Sequence, residues 1–210
     1  MKVLSILNEK GGVGKTTLTS NIARQLQSQG FKVLLVDTDP QGSLRDWKSV
    51  GIDSKELPHL IVLDRAELIK EVKEFQDKDW IIVDGAPSVQ NILIETIKIS
   101  DFVLIPVHPS PYDIWAAESL VNMLQAKAEI SDTPRSAFII SKQINGTKIS
   151  TETREVLKEY NIPVFNSYTS QRIIYATSAA TGSTVIDDDP LGLAAKEIKE
   201  IVNEILEWKK

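Results

Sequence analysis

Short runs of β-branched and other apolar residues alternate with longer helix-like stretches along the chain. The apolar runs are continuous rather than alternating with polar residues, which is typical of strands in a parallel sheet covered on both faces. Such alternation requires right-handed crossovers, and it predicts an α/β fold with a doubly wound, mostly parallel sheet. The predicted strands span residues 2–7, 32–37, 59–63, 80–84, 102–107, 135–140 and 163–166, and the predicted helices 16–29, 65–76, 89–99, 116–128, 151–160 and 191–208.

Length and composition fit one domain. The chain has 210 residues, 42% of them hydrophobic, and no repeat or linker divides it, so we expect a single domain over residues 1–210. The sequence contains no cysteine, which excludes disulfides and thiolate metal sites. No stretch approaches the roughly 20 apolar residues of a membrane helix, and the first apolar run is too short for a signal peptide. We therefore expect a cytoplasmic protein with no membrane partner.

A glycine-rich loop, EKGGVGKTT at residues 9–17, lies between the first predicted strand and the first predicted helix. Glycines let the backbone approach phosphate oxygens, and the helix N-terminus adds the positive end of its dipole. Lys15 is placed to neutralise the β- and γ-phosphates, and the Thr16 hydroxyl to bind Mg²⁺. The predicted nucleotide ligands are Gly11, Gly12, Val13, Gly14, Lys15, Thr16 and Thr17.

Two further motifs place aspartates at the ends of predicted strands. VLLVDTDPQGS at residues 33–43 carries Asp37 and Asp39, and WIIVDGAPS at residues 80–88 carries Asp84. Ligands of open α/β sheets bind at the carboxyl ends of the strands. Asp84 and Asp37 therefore join Thr16 in the predicted magnesium site, with Asp84 acting through a water. Each aspartate alone is equally a helix cap or turn residue, but together with the glycine loop they indicate catalysis.

The residue after Asp84 is Gly85, so this strand end supplies no glutamate as a catalytic base. Asp39 is then the best candidate for orienting the attacking water. Weak activation of the water predicts slow hydrolysis, which suits a timer better than a motor.

Lys10 stands outside the glycine curve, where a cation can reach a second nucleotide in a facing subunit, as an arginine finger does in trans. At this point the sequence resembles the ParA/MinD ATPases. KGGVGKTT with Lys10 is similar to their deviant Walker A motif, and DTDPQGS and IIVDGAPS to their A′ and Walker B motifs. Residues 105–120 and 169–187 resemble segments of the short ParA proteins. Because the phosphate loop begins at residue 10, we expect no N-terminal helix-turn-helix.

The resemblance implies a slow ATP hydrolase with ATP and Mg²⁺ as cofactors and catalytic roles for Lys10, Lys15 and Asp39. It implies a homodimer that sandwiches ATP, with Lys10 contacting the partner's nucleotide. It also implies nonspecific DNA binding by the ATP-bound dimer, hence association with the nucleoid. A ParB-like or cargo-adaptor protein is expected to stimulate hydrolysis. The cargo implied by the resemblance is a plasmid, a chromosome or a protein assembly such as a carboxysome.

Arg172 is the predicted DNA-binding residue, because it lies in the segment that resembles the family's DNA-contacting region. Lys142, Lys148 and Lys199 are weaker candidates, and a solvated surface charge is the alternative for each. The net charge of −5 argues against wholesale coating of nucleic acid and leaves room for a local basic patch.

Other branches and functions fit the sequence less well. Nitrogenase iron proteins need cysteines to bind their cluster, and this chain has none. MinD-type proteins end in a basic amphipathic membrane helix. In residues 191–208 and the two lysines after them, glutamates offset the lysines, so the apolar stripe there is predicted to pack in the core. The alternative function is a metabolic P-loop enzyme that transfers phosphate to a small molecule. His59 and His108 show no metal-ligand spacing, while Tyr112 and Trp115 fit a partner-facing surface and core packing equally.

Overall fold

The computed structural model describes residues 1–51, 57–87, 89–144 and 146–208, and it contains one seven-stranded sheet. The strand order is β3-β2-β4-β1-β5-β6-β7, and every neighbouring pair is parallel. The predicted doubly wound α/β class is therefore confirmed. The strands are β1 Lys2–Ile6, β2 Val33–Asp37, β3 His59–Val62, β4 Trp80–Asp84, β5 Phe102–Val107, β6 Arg135–Gln143 and β7 Val164–Ser170.

Helices cover both faces of this sheet. One face packs against α1, α2, α7, α8 and α9, and the other against α3 to α6 and a 3₁₀ segment, Ala66–Glu74. Neighbouring residues of one strand bury into opposite faces, which explains the unbroken apolar runs. The helices are α1 Lys15–Ser28, α2 Ser43–Val50, α3 Gln90–Ile99, α4 Pro111–Ala116, α5 Glu118–Ala128, α6 Lys148–Lys158, α7 Ile173–Ala180, α8 Val185–Asp188 and α9 Leu193–Trp208.

Several predicted helices differ from the observed ones. The stretch predicted as a helix over 65–76 is a 3₁₀ segment, and the residues that it buries, Ile69 and Val72, are three positions apart. A 3₁₀ helix places every third residue on one face, which accounts for this spacing. The helix predicted over 116–128 corresponds to α5, which begins two positions later at Glu118, and a separate short helix, α4, begins with Pro111 before it. The sequence analysis missed α2, α4, α7 and α8.

The apolar stripe of α9 packs in the core, as predicted. Residues on this stripe are buried against α1 and the sheet: Ala195, Ile198, Ile201, Val202 and Ile205. Within the described ranges, no helix has the length and hydropathy that crossing a membrane requires. Ser88, Lys209 and Lys210, which also entered the sequence analysis, lie outside the described residues.

The strand β7 lies at one edge of the sheet, and side chains cover part of its open side. Glu204 of α9 accepts hydrogen bonds from the backbone N–H groups of Asn166 and Ser167, at 2.8 and 2.9 Å, and from the Ser167 hydroxyl at 2.6 Å. Arg154 donates to the Phe165 carbonyl at 2.6 Å. Covered edges resist pairing with other chains, so these contacts protect the edge nearest α9.

Replacing Glu204 with alanine tests this edge. The substitution leaves two backbone N–H groups without their carboxylate acceptor, so we expect the free energy of unfolding to fall by about 1–3 kcal/mol. Urea denaturation measures it. The matched control is Glu200→Ala, one helical turn earlier, where an exposed pair with Lys196 at 4.0 Å should contribute less than about 0.5 kcal/mol. Equal effects of the two substitutions would contradict the assigned role of Glu204.

Candidate nucleotide-binding site

The phosphate loop joins β1 to α1 and adopts a conformation that requires glycine. Gly12 and Gly14 have φ angles of 78° and 93°, in the left-handed region, and Gly14 lies immediately before the first turn of α1. The Ser141 hydroxyl at the end of β6 donates to the Val13 carbonyl at 2.6 Å and fixes the loop from outside. No neighbouring heavy atom lies within 4 Å of a Cβ built on Gly11 or Gly12, so this side of the loop borders open space.

Lys15, Thr16 and Asp84 meet beneath this loop. The Thr16 hydroxyl donates to Asp84 Oδ2 at 2.7 Å, and the Thr19 hydroxyl to Asp84 Oδ1 at 3.3 Å. The ammonium of Lys15 donates to the Lys10 carbonyl at 2.8 Å. Burial lowers the pKa of Lys15, and the negative charges of Asp84 and Asp39 partly offset this shift. The structure thus brings together a cation, a hydroxyl and a carboxylate that the sequence separates by 68 positions.

Asp84 is fully enclosed, and its environment disfavours the carboxylate. Burial, with a further contribution from the negative charge of Asp37, raises the pKa of Asp84 to about 7, although the Thr16 hydroxyl and Lys15 oppose the shift. A divalent cation beside it would favour the ionised form, because an opposite charge within a few ångströms stabilises a carboxylate. This donor set fits Mg²⁺ held by Thr16, Asp84 and phosphate oxygens. No group of three or more His, Cys, Asp or Glu side chains among the described residues is arranged to hold a metal without such oxygens.

Asp37 and Asp39 occupy different environments. Asp37 pairs in register with Asp84 across β2 and β4, and burial raises its pKa. Its carboxylate accepts the backbone N–H groups of Asp39 and Arg45, and it forms a 3.2 Å ion pair with the Arg45 guanidinium. These contacts fasten the loop before α2, and a metal-ligand role for Asp37 stays a prediction. Asp39 accepts the Gln41 N–H at 2.9 Å and lies near enough to influence Lys15.

Gly85 explains why no glutamate follows Asp84. A Cβ at this position would approach a Leu7 methyl group to 2.4 Å and the Ile6 carbonyl oxygen to 2.8 Å. The Gly85 N–H donates to that same Ile6 carbonyl at 3.1 Å, which draws the two strand ends together. Any side chain here would push β4 away from β1, so the position is closed to a catalytic base.

Lys10 has a partner within its own subunit. Its ammonium forms a 2.8 Å ion pair with Asp113, on the first turn of α4, and its backbone N–H donates to the Asn8 side chain at 2.8 Å. The sequence analysis gave Lys10 no role in its own chain, and the structure corrects this point. Its contact with a second nucleotide stays a prediction.

The sequence analysis missed a cavity of about 390 Å³ beside the loop, between the ends of β6 and β7 and the first turns of α7. Its volume lies in the range of small-molecule sites. The missed signal is the polar stretch at the end of β7, which reads as a loop in the sequence and is a strand in the structure. The lining residues are Gly14, Thr17, Leu18, Ser141, Lys142, Thr169, Ser170, Gln171, Arg172, Ile173, Tyr175, Ala176 and Ala179.

Arg172, the predicted DNA contact, lies in an ion pair. Its Nε and a terminal nitrogen approach Glu197 Oε1 at 2.9 and 2.8 Å. Glu197 is 8% exposed and also accepts the Tyr175 hydroxyl at 2.9 Å and the Ser170 N–H at 3.1 Å. This network joins β7, α7 and α9, so Arg172 has a structural role whether or not it contacts DNA.

The other three candidate cations have different surroundings, and Lys142 lines the same cavity as Arg172. Lys142 donates to the Gly12 carbonyl at 2.9 Å, and Lys199 to the Pro190 carbonyl at 2.6 Å. Lys148 is exposed at the first turn of α6. The aromatic pair at α4 is exposed rather than packed, with Tyr112 at 73% and Trp115 at 61%. Of the two interpretations of this pair, core packing is therefore wrong.

The chain is similar to known proteins over most of its length. The family CbiA, the CobQ/CobB/MinD/ParA nucleotide binding domain, matches residues 4–185. The chain is 31% identical over 209 residues to the maintenance of carboxysome distribution protein A of Halothiobacillus neapolitanus, covering 97% of this chain and 95% of that protein.

Solved structures agree in fold. The cell division ATPase MinD of Pyrococcus furiosus has a TM-score of 0.80 at 18% identity, with 99% of each chain covered. McdA of Cyanothece in complex with ATP has a TM-score of 0.77 at 19% identity, covering 99% of this chain and 96% of that one. At these identities the likeness concerns the fold alone.

Replacing Arg172 with alanine separates its structural role from DNA contact. The substitution removes a charged partner from a buried carboxylate, so we expect the free energy of unfolding to fall by about 1.5–3 kcal/mol. Denaturation of the nucleotide-free protein measures it, and the exposed Lys148→Ala is the matched control, with an expected change within about 0.5 kcal/mol. An unchanged stability of Arg172→Ala would mean that the ion pair contributes little, and Arg172 would then be free for DNA.

Proposed function

Since the chain belongs to the CobQ/CobB/MinD/ParA nucleotide-binding domain family, whose ParA and MinD members are ATPases, we propose that it is a slow ATP hydrolase that works as a nucleotide-controlled dimer. The observation that carries this proposal is the group formed by Lys15, Thr16 and Asp84 under the phosphate loop, with the Thr16 hydroxyl 2.7 Å from Asp84. The function is positioning or segregation of a cargo on DNA.

The residues divide the work within one subunit. The loop residues 11–17 hold the phosphates, and Lys15 exchanges the Lys10 carbonyl for phosphate oxygens. Thr16 and Asp84 would hold Mg²⁺, whose positive charge would offset the negative charge of the bound phosphates. The cavity at the ends of β6 and β7 takes the nucleoside. Asp39, near Lys15 and with an acceptor carboxylate, orients the attacking water.

Dimerisation is proposed from Lys10. Lys10 lies at the start of the phosphate loop, and its side chain is 38% exposed. From there it can reach a nucleotide held by a second copy of the chain. The exposed Tyr112 and Trp115 lie on α4, the helix that also carries Asp113, the ion-pair partner of Lys10. A dimer that closes over two nucleotides would cover these side chains.

Cargo positioning is proposed from the relatives. One relative is named for carboxysome distribution, and a structural neighbour from Borrelia burgdorferi is titled a putative plasmid partition protein. Both kinds of cargo fit an ATP-bound dimer that holds DNA through phosphate contacts, without reading its sequence, and is cytoplasmic when released. A ParB-like or adaptor protein would stimulate hydrolysis and so end the bound state.

Sedimentation in the presence of nucleotide tests the dimer. With Mg²⁺ and a nonhydrolysable ATP analogue, the protein at micromolar concentration should sediment as a dimer, and with ADP as a monomer. The dimer alone should bind a duplex of random sequence, with affinity that falls steeply as salt rises. Lys10→Ala should bind the analogue and stay monomeric. A wild-type protein that binds the analogue but remains a monomer would overturn the sandwich.

Asp39→Ala should trap the ATP-bound state. The substitution removes the proposed water-orienting carboxylate and leaves Lys15, Thr16 and Asp84 in place, so hydrolysis should fall by about 100-fold or more while ATP binding persists. Single-turnover hydrolysis of labelled ATP measures the rate, and filter binding measures retention over hours. Asp46→Ala, an exposed aspartate in the first turn of α2, is the control. Loss of ATP binding in Asp39→Ala would reassign Asp39 to structure or metal binding.

A further inference from the structure

The ion pair between Lys10 and Asp113 joins residues 103 positions apart and has unequal ends. The Lys10 side chain is 38% exposed, whereas that of Asp113 is 5% exposed. Asp113 stands on the first turn of α4, and its neighbour Ile114 packs in the core. The lysine is therefore the end of the pair that can move, while the fold holds the carboxylate in place.

Apart from Lys10, few described groups stabilise the negative charge of Asp113. Oδ2 accepts Lys10 at 2.8 Å, and Oδ1 accepts no hydrogen bond from any described residue. His108 Nδ1 stands 3.5 Å from Oδ1, and burial lowers the pKa of His108, with the charges of Lys142 and Lys10 acting in the same direction. A buried carboxylate that loses its cation is strongly disfavoured, so Asp113 holds Lys10 firmly.

We propose that Asp113 is a latch that keeps Lys10 within its own subunit and thereby sets how readily two subunits close over nucleotide. The proposal rests on the proposed function, in which Lys10 serves the partner's nucleotide. Asp113 is a positioning residue, because it acts through Lys10 and touches no nucleotide itself.

The latch acts as a competing state. A subunit whose Lys10 is paired with Asp113 cannot offer the same ammonium to a second nucleotide. Each of the two subunits must free its own Lys10, so the apparent affinity of dimerisation is the intrinsic affinity multiplied by the square of the fraction of subunits with Lys10 free. Weakening the latch raises that fraction and tightens the dimer without adding any contact between subunits. A merely structural role predicts the opposite, since damage to α4 would loosen the dimer.

The test is Asp113→Asn, which keeps the shape of the side chain and removes its charge. The dimer dissociation constant, measured by sedimentation with Mg²⁺ and a nonhydrolysable ATP analogue, should fall by about tenfold, which corresponds to a latched fraction of about 70% in each subunit. Asp113→Glu, which keeps the carboxylate, should stay near the wild-type value. If Asp113→Asn does not fold, Asp113→Ala is measured in its place and should also tighten the dimer.

Asp187→Asn is the matched control. Asp187 of α8 forms a 2.8 Å ion pair with Arg24 of α1 and is also largely buried, but it belongs to neither the phosphate loop nor α4. Breaking this pair should leave the dimer dissociation constant unchanged. The double variant Lys10→Ala with Asp113→Asn should lose the tightening, because the latch acts only through Lys10.

The outcomes separate this inference from the proposed function. If the wild type dimerises with the analogue and Asp113→Asn dimerises equally or less tightly, the latch is wrong and the sandwich stands. Tightening that persists in the double variant also overturns the latch, since Lys10 is then not its agent. If neither wild type nor Asp113→Asn dimerises although both bind the analogue, the proposed function itself fails, and the latch with it.

Discussion

Parallel pairing of β1 with β4, and of β4 with β2, is the constraint on which the site depends. Ile6 lies opposite Asp84, and Asp84 opposite Asp37, so three strands end at the same level of the sheet. The loop that follows β1 therefore rises beside both carboxylates. The Gly85 N–H closes on the Ile6 carbonyl at 3.1 Å and holds these ends together. A shift of one residue in either pairing would move Asp84 to the opposite face, away from Thr16.

Much of this arrangement could be predicted from the sequence, because it depends on local patterns. Unbroken apolar runs identify strands buried on both faces, and the glycine loop between a strand and a helix identifies the phosphate site. Asp84 could be placed near Thr16 because the carboxyl ends of parallel strands share one edge. The helical crossovers between successive strands predict that the strands run parallel, whereas the order in which the seven strands pair was not predicted.

Features that depend on distant contacts could not be predicted. The polar end of β7 is a strand because it pairs with β6, and Glu197 and Glu204 of α9 accept N–H groups along it. Nothing within residues 167–170 indicates either contact. In the sequence Arg172 is indistinguishable from a surface cation, because its partner Glu197 lies 25 positions away on α9. Lys10 and Asp113 are 103 positions apart, so no local sequence pattern indicates that they form an ion pair. The 3₁₀ segment could not be told from an α-helix, because the apolar residues of AELIKEVKE fit α-helical spacing as well as a repeat of three.

The polar groups around the phosphate loop already have partners within the chain. Lys15 donates to the Lys10 carbonyl, Lys142 to the Gly12 carbonyl, and Thr16 to Asp84. Nucleotide binding must therefore exchange existing hydrogen bonds for new ones, and its affinity is the difference between the two sets. A site built in this way keeps its shape without ligand, because each lysine is held near its place of action. The same hydrogen bonds within the chain compete with nucleotide binding, so a ligand that makes few contacts would not displace them.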